Sequence, residues 1–121
     1  MLEKDDEEHA IPVEWHTTFA QIVDAFLDGD FQLRHHRIAG VDPIDPSTAE
    51  WIADCIGAYG DALAPLNPQT WDGSVYRWLD GYWELLVDLT TEGEPVSDLT
   101  LHAKLYDEHQ PRLEIQWVIV P

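Results

Sequence analysis

The dipeptide Asp80-Gly81 constrains this chain more than any other feature, because it separates two runs of alternating apolar and polar residues. Asp-Gly is a strong signal for a two-residue β-hairpin, since a type I′ turn needs a positive φ at both central residues. The turn sets the register, which pairs Leu79 with Tyr82, Trp78 with Trp83, Arg77 with Glu84, Tyr76 with Leu85 and Val75 with Leu86. A slip of one residue would move every apolar side chain to the opposite face, so this pairing is strongly specified.

The two faces of this hairpin differ in polarity. One face carries only apolar and aromatic side chains, namely Tyr76, Trp78, Trp83, Leu85, Val87 and Leu89. The other face mixes apolar and charged side chains, namely Val75, Arg77, Leu79, Tyr82, Glu84, Leu86 and Asp88. We therefore expect one face to pack against the core and the other to be partly in contact with water.

Two further strands are predicted after the hairpin, over residues 97–107 and 112–120. In the first, the inward-facing residues are Leu99, Leu101, Ala103 and Leu105. In the second, one side carries Leu113, Ile115, Trp117 and Ile119, and the other carries Glu114, Gln116, Val118 and Val120. Because the end of this strand is apolar on both faces, we expect a central position in the sheet, an additional cover or a subunit interface there. The residues predicted to form that interface are Trp117, Val118 and Val120.

Two helices are predicted before the hairpin. Thr18 and Gln21 match a capping box at the start of the first, whose apolar face consists of Phe19, Ile22, Val23, Phe26 and Leu27. The second begins after Asp45 or Ser47, carries Trp51 or Ile52, Cys55, Ile56 and Tyr59 on its apolar stripe, and ends at Gly60. The predicted fold class is α+β, with two N-terminal helices packed on a four-stranded antiparallel meander sheet.

Domain organisation follows from the length of 121 residues, which suits one domain with its own core. Residues 1–12 are predicted to be an acidic, mobile leader, and residues 13–121 a single α+β domain. The only cysteine, Cys55, lies on the apolar stripe of the second helix and is interpreted as a core residue. Because the chain shows no secretion signal and no run of about 20 apolar residues, we expect a cytoplasmic protein that does not enter a membrane.

The charge balance restricts the partners of this protein. There are 24 Asp and Glu against 6 Lys and Arg, which gives a formal net charge of -18. Such a field repels nucleic-acid phosphates and anionic membranes, and it favours a basic protein partner. An equally weighted alternative is that the acidity only keeps a Trp-rich protein in solution.

Two groups of polar residues are candidate sites. The first is Asp88, Glu92, Ser97 and Asp98, which would gather at one end of the sheet and bind a cation or a basic side chain. Capping of the loop by these Ser and Asp side chains is the favoured alternative. The second is the basic run Arg34, His35, His36 and Arg37, which would contact an anion or, as we prefer, pair with the surrounding acidic residues.

No catalytic motif is found in the sequence. It has no phosphate-binding Gly loop, no His or Cys cluster with metal-ligand spacing and no Gly-x-Ser-x-Gly elbow. We therefore predict no catalytic residue, no metal site and no cofactor, and an enzyme is the less favoured class.

A set of residues from Trp71 onward forms a recognisable pattern: Trp71, Ser74, Trp78, Trp83, Val87-Asp88-Leu89, Glu92-Gly93 and Ser97-Asp98-Leu99. This pattern resembles an uncharacterised family of small bacterial proteins, a domain of unknown function, and the likeness extends from about Val13. The sequence departs from the family at Thr90, where Trp is expected, and where Glu94-Pro95-Val96 lengthens the turn. The resemblance implies a shared fold and no catalytic role. A weaker likeness of the first helix, ending in Asp28-Gly29-Asp30, is to the cystatin-like α+β roll, which often holds small-ligand pockets.

Two classes of function remain open. The first is a non-catalytic acidic domain that binds a basic protein, as an immunity protein or an inhibitor does. The alternative is a small-ligand-binding or enzymatic domain with a cystatin-like roll pocket between sheet and helices. A third interpretation is a homodimer formed through the last strand. Converging polar groups with shifted pKa values in a cleft would favour an enzyme, whereas a flat or convex face would favour a binding protein.

Overall fold

The computed structural model describes residues 2–121, so that Met1, the first residue of the predicted leader, lies outside the described residues. The elements follow the order β1 (His9–Ala10), α1 (His16–Leu27), α2 (Pro46–Ala58), β2 (Leu63–Ala64), β3 (Val75–Leu79), β4 (Tyr82–Asp88), β5 (Thr90–Thr91), β6 (Thr100–Tyr106) and β7 (Arg112–Ile119). Short 3-10 helices span Val13–Trp15 and Pro68–Asp72. The α+β class is confirmed, with two helices and a largely antiparallel sheet.

The main sheet has five strands in the order β1-β3-β4-β6-β7, and a second sheet pairs β2 with β5. The four predicted strands are neighbours in antiparallel meander order, as expected. The predicted number of strands is wrong, because β1 adds to the edge at β3 by pairing His9 with Tyr76 and Ala10 with Val75. Two residues are too few to show an alternation in the sequence, so this strand had no detectable signal.

The hairpin register is confirmed at all five predicted pairs. The turn type is not, because Leu33 is the one non-glycine residue with a positive φ among the described residues. Gly81 takes a φ of 119°, but Asp80 stays in the negative region, which excludes type I′. The register therefore depends on the loop length and on the cross-strand pairs, including Trp78 and Trp83 with ring centroids 5.0 Å apart.

The predicted core face of the sheet is buried. Trp83, Leu85, Val87 and Leu89 on one side of the sheet, and Leu99, Leu101, Ala103 and Leu105 on the next strand, are at most 2% exposed. These side chains belong to one hydrophobic cluster that also contains the buried residues of both helices. The helix α2 lies alongside β7.

The start of α2 agrees with the prediction, and the start of α1 does not. Of the two predicted caps of α2, Asp45 and Ser47, the structure uses Asp45, whose carboxylate accepts the Thr48 N–H, and Pro46 is the first helical residue. The capping box at Thr18 is wrong, since α1 begins at His16 directly after a 3-10 turn and has no side-chain cap. Neither helix of residues 2–121 is long and apolar enough to cross a membrane.

Residues 2–12, predicted as a leader, make defined contacts in this structure. Leu2 is 6% exposed. The Glu3 N–H donates to the Tyr76 hydroxyl at 2.9 Å, and the Trp83 indole N–H donates to the Glu3 carbonyl at 2.9 Å. The segment therefore runs along β3 instead of extending away from the domain. Its mobility remains a prediction.

Candidate functional site

A mostly apolar groove lies between α2 and β7. It has a volume of about 620 Å³, and its lining consists of Ser47, Thr48 and Trp51 from α2 and Gln116, Trp117 and Ile119 from β7. We call this the tryptophan groove. Trp51 is 60% exposed and Trp117 is 43% exposed, which is unusual for side chains with so much apolar area.

A β-bulge in β7 places Trp117 on the outside. Trp117 lies opposite His102, and Ile115 lies opposite Ala103, which leaves Gln116 without a partner residue. The extra residue shifts the alternation of the strand, so that Val118 points into the core and Trp117 points outward. The predicted alternation is therefore wrong after Gln116, and the reason is one inserted residue.

Because of this shift, two of the three predicted interface residues are exposed and the third is buried. Trp117 and Val120 are exposed, and Val120 is 53% accessible. Val118 is 0% exposed and cannot contact a partner, because it packs in the core cluster. Sequence analysis missed Trp51 as a surface residue. The α2 stripe allowed either Trp51 or Ile52 to face inward, and the structure buries Ile52 completely.

The electrostatic surroundings of the tryptophan groove are acidic. No charged side chain lines it, but Glu50 and Asp54 are exposed on α2 on either side of Trp51 in the sequence. Neither carboxylate forms an ion pair within residues 2–121. The closest cation in β7, Arg112, is already bound by Asp42 and by two glutamates. A positive group arriving at the groove would therefore meet uncompensated negative charge.

His102, the cross-strand neighbour of Trp117, carries a polar atom without a hydrogen-bond partner among residues 2–121. The Nε2 atom of His102 is buried and makes no hydrogen bond within the described chain. The imidazole and indole centroids are 6.0 Å apart. Burial lowers the pKa of His102, and the negative charge of Glu84 opposes this effect only in part. Burial therefore favours the neutral form of this ring, which neighbours Trp117 across the two strands.

The predicted polar cluster is brought together in part. Asp88, Ser97 and Asp98 line one groove with Thr100 and Val120, among other residues. The fourth predicted member, Glu92, does not line it. Its backbone N–H donates to the Ala62 carbonyl at 2.8 Å, and its side chain is exposed.

The hydroxyl and amide groups of this cluster hold the loop. Ser97 donates to the Leu89 carbonyl at 2.7 Å and accepts the Leu99 N–H at 3.2 Å. The Asp88 N–H donates to the Ser74 hydroxyl at 2.9 Å. Burial raises the pKa of the Asp88 carboxyl, since no described side chain donates to it. Within the described chain, Ser97 is thus the member of the cluster whose side chain holds the loop, while Asp88 and Asp98 take part through their backbone N–H groups.

A polar clasp joins the end of α2 to the same loop. The Tyr59 hydroxyl donates to Glu94 at 2.7 Å and accepts the Asp98 N–H at 3.0 Å. Asp61 accepts the Thr91 hydroxyl at 2.7 Å and the Gly93 N–H at 3.0 Å. This clasp uses two residues of the sequence pattern noted above, Gly93 and Asp98, whose backbone N–H groups fix the loop after β4.

The basic run is organised by carboxylates of its own chain. Asp30 accepts the backbone N–H groups of Arg34, His35 and His36 at 2.8–3.0 Å. The His36 ring lies 2.9 Å from Asp30 and 2.9 Å from Asp28. These bonds raise the pKa of His36, with Asp30 as the first cause and Asp28 as the second. Burial alone would raise the pKa of Asp30, but its hydrogen bonds outweigh burial and hold that pKa well below its usual range.

The two arginines of the run have a different environment. Arg34 and Arg37 line a groove of about 340 Å³ with Leu33, Ile38, Val41 and Pro43. Neither guanidinium has a carboxylate within ion-pair distance in the part of the chain that the structure describes. The preferred pairing with acidic groups thus holds for His36, while an anion contact at Arg34 and Arg37 stays a prediction, as it does at His35.

One cluster of metal-ligand types was not singled out from the sequence. Asp5, Glu7 and His9 bring ligand atoms within 4.8 Å of one another at the N-terminal edge of the sheet. Asp5 and Glu7 are exposed, and the His9 ring is bonded to Asp5 at 2.8 Å. That bond raises the pKa of His9 and lowers the pKa of Asp5, which accounts for the arrangement as an ion pair.

Comparison with known proteins identifies a family without an assigned activity. Residues 23–121 match the family model described as Domain of unknown function (DUF7668). Searches of the curated proteins and of the solved structures found no significant match. The matched range contains both walls of the tryptophan groove and the whole polar clasp.

Proposed function

Because this chain belongs to the DUF7668 family, whose description names no activity, we propose from its geometry that it is a non-catalytic acidic domain that binds a basic protein. The tryptophan groove is the observation that carries this proposal. It is open, apolar and bounded by two exposed indoles, which are the side chains most enriched at the centres of protein interfaces.

Charge supports a basic partner. With a net charge of -18, the chain attracts a cationic protein over distances comparable to the Debye length and accelerates the encounter. Among residues 2–121, the carboxylates of Glu50 and Asp54 beside the groove form no ion pair. An immunity-like or inhibitor-like role fits this combination of a small domain, a strong negative field and an aromatic contact surface.

The same charge disfavours a second copy of the chain as the occupant. Two chains that each carry -18 would repel one another as their β7 strands approached. A homodimer through Trp117 and Val120 is therefore the less favoured use of this surface. We also infer that both helices cover the buried sheet face and that the protein acts in the cytoplasm, which the presence of one unpaired cysteine supports.

The proposal is tested by capture on the immobilised full chain from a native lysate, at low and then at raised salt. We expect a basic protein to be retained at low salt and released as the salt increases. The eluted protein is then purified and its Kd measured against the wild-type chain, Trp51→Ala and Val13→Ala. Val13 is 78% exposed and lies outside the groove, so its replacement serves as the matched control.

Weakened binding with Trp51→Ala and unchanged binding with Val13→Ala would support the groove as the contact surface. Retention of no basic protein at any salt, with a dimer in sedimentation, would refute the proposed function and return the homodimer as its replacement.

A second candidate function uses the groove beside Asp88. A carboxyl whose pKa is raised by burial, with Asp98 and Thr100 in the same groove, is the arrangement expected of a small polar ligand site. Asp88→Asn keeps the shape of the side chain and removes its charge. If a ligand screen finds a small molecule that binds the wild-type chain and not this variant, the ligand-binding alternative replaces the protein-binding one.

A further inference from the structure

We propose that the tryptophan groove receives an arginine side chain of the partner, which stacks on Trp51 and pairs with Asp54. This inference rests on the proposed function and adds the chemistry of the contact. It predicts that the partner presents an arginine-rich segment and that lysine cannot replace arginine there without loss of affinity.

The lysines and arginines of the chain itself lie over several of its aromatic rings. Lys4 lies 4.8 Å from the Trp78 ring and 5.4 Å from the Trp83 ring. Lys104 lies 4.7 Å from the Tyr82 ring, and Arg112 lies 4.3 Å from the Tyr106 ring. Four aromatic rings thus already have an intramolecular cation.

The two indoles of the groove lack such a partner. No Lys or Arg lies over Trp51 or Trp117 among the cation–ring contacts of residues 2–121. Tryptophan is the ring that attracts cations most strongly, and Trp51 presents more than half of its surface to solvent. Trp51 is therefore the most exposed tryptophan that the structure describes, and a cation over its ring would come from another molecule.

Asp54 supplies the second half of the contact. It is exposed on α2 three positions after Trp51, and side chains three residues apart are neighbours on a helix surface. Its carboxylate has no ion pair within residues 2–121. A guanidinium over the indole can turn its N–H groups toward this carboxylate and form a bidentate pair.

The opposite wall accepts the apolar part of the same side chain. Trp117 and Ile119 line the groove across from α2 and carry no charge. The methylene stem of an arginine can pack there while its planar head stacks on Trp51. A lysine ammonium lacks the planar head and the fork of donors, so it would keep only the charge attraction.

The probe for this inference is a pair of end-capped peptides, one alternating arginine and serine and the other lysine and serine, of equal length and charge. Each is titrated into the full chain and into the variants Trp51→Leu, Asp54→Asn and Asp24→Asn. Leucine keeps an apolar side chain and removes the aromatic ring. Asp24 is exposed on α1, so Asp24→Asn changes the net charge as Asp54→Asn does, but away from the groove.

We expect the arginine peptide to bind about three to ten times more tightly than the lysine peptide. Trp51→Leu and Asp54→Asn should each weaken the arginine peptide by about the same factor, whereas Asp24→Asn should weaken it by less than about twofold.

Equal affinities for the two peptides, together with equal losses in Asp54→Asn and Asp24→Asn, would overturn the arginine site. The proposed function would remain, with a basic protein bound through the net negative charge of the chain. Capture of a basic protein whose Kd is unchanged by Trp51→Leu would overturn it in the same way. Failure of both peptides to bind, together with failure to retain any basic protein, would refute the proposed function itself.

Discussion

The two ends of α2 differ in how far their side chains are paired within the chain. At the C-terminal end, Tyr59 and the following Asp61 form four hydrogen bonds with the loop after β4. In the N-terminal half, Trp51 is left 60% exposed beside Trp117, which is 43% exposed. The polar groups at one end are paired within the chain, whereas the other end exposes large apolar area next to carboxylates that have no ion pair within residues 2–121.

This difference teaches where to look for function in a domain without a catalytic motif. Of the polar residues that stand out in the sequence, Ser97 holds the loop through its hydroxyl and Asp98 through its backbone N–H. Residues that look like ordinary core, Trp51 among them, are the ones left open to a partner. Variants of the two ends should therefore separate stability from binding.

The largest effect is expected from Asp61→Ala at the polar clasp. The variant loses two hydrogen bonds to the Asp61 carboxylate. It also leaves the hydroxyl of Thr91, a residue that is only 2% exposed, without an acceptor. We expect a decrease of about 2 to 3 kcal/mol in the free energy of unfolding, measured by urea denaturation. A loss below about 0.5 kcal/mol would show that water replaces the clasp at no cost.

Gly93→Ala should act on the same clasp with a smaller effect. A Cβ at this position would lie 2.7 Å from Asp61 Oδ2, so the carboxylate must move and its bond to the Gly93 N–H weakens. We expect a loss of about 1 to 2 kcal/mol in unfolding free energy, and less than additive behaviour when it is combined with Asp61→Ala.

The control for this substitution is Gly57→Ala in α2, where a Cβ meets nothing within 4 Å. Alanine favours a helix over glycine, so this variant should be more stable by about 0.5 to 1 kcal/mol. If both glycine variants lose stability to the same extent, the close approach to Asp61 is not the cause.

His36 provides a third, pH-dependent test of an internally satisfied region. Its bonds to Asp30 and then Asp28 raise its pKa above 6.5, so the folded chain holds the proton more tightly than the unfolded chain does. This contribution to stability is fully present below 6.5 and is lost as the pH rises through the raised pKa.

The wild-type chain should therefore exceed His36→Gln in urea midpoint most clearly near about pH 5.5, and the gap should narrow by about pH 9. His35→Gln is the matched control. The His35 ring makes no hydrogen bond in the described structure, and the residue donates to Asp30 only through its backbone N–H. A gap that widens with pH would contradict the assignment of the proton to His36.

The smallest effect on stability is expected from Trp51→Ala at the other end of α2. The side chain is largely exposed, and alanine is a strong helix former, so the unfolding free energy should change by at most about 0.5 kcal/mol. Thermal denaturation of the purified variant provides the measurement. A loss of about 2 kcal/mol or more would mean that Trp51 supports the fold, and the comparison between the two ends would fail.

Much of the fold could be predicted from neighbouring residues. The register of the hairpin follows from a two-residue loop and an alternation of period two, and both are local properties of the chain. The caps at Asp45 and at Gly29, which takes a φ of 81°, are equally local. At these positions the local preference of the sequence agrees with the conformation that the tertiary structure requires.

The site was predictable only in part. Trp117 and Val120 could be proposed as exposed because the last strand is apolar on both faces, which breaks the alternation. That same feature hid the bulge at Gln116, since a run without alternation carries no information about its phase. Val118 was therefore assigned to the surface although the core encloses it.

The sequence by itself determined the α+β class, the meander of four strands and the negative field of this protein, because turns, side-chain periods and charge are read within a short stretch of chain. Only the tertiary structure decided that Trp51 and Trp117 face one groove, that β1 extends the sheet, and that Tyr59 and Asp61 bind the loop after β4. The physical reason is that each depends on contacts between segments distant in the chain, where packing and unsatisfied backbone groups outweigh local preference.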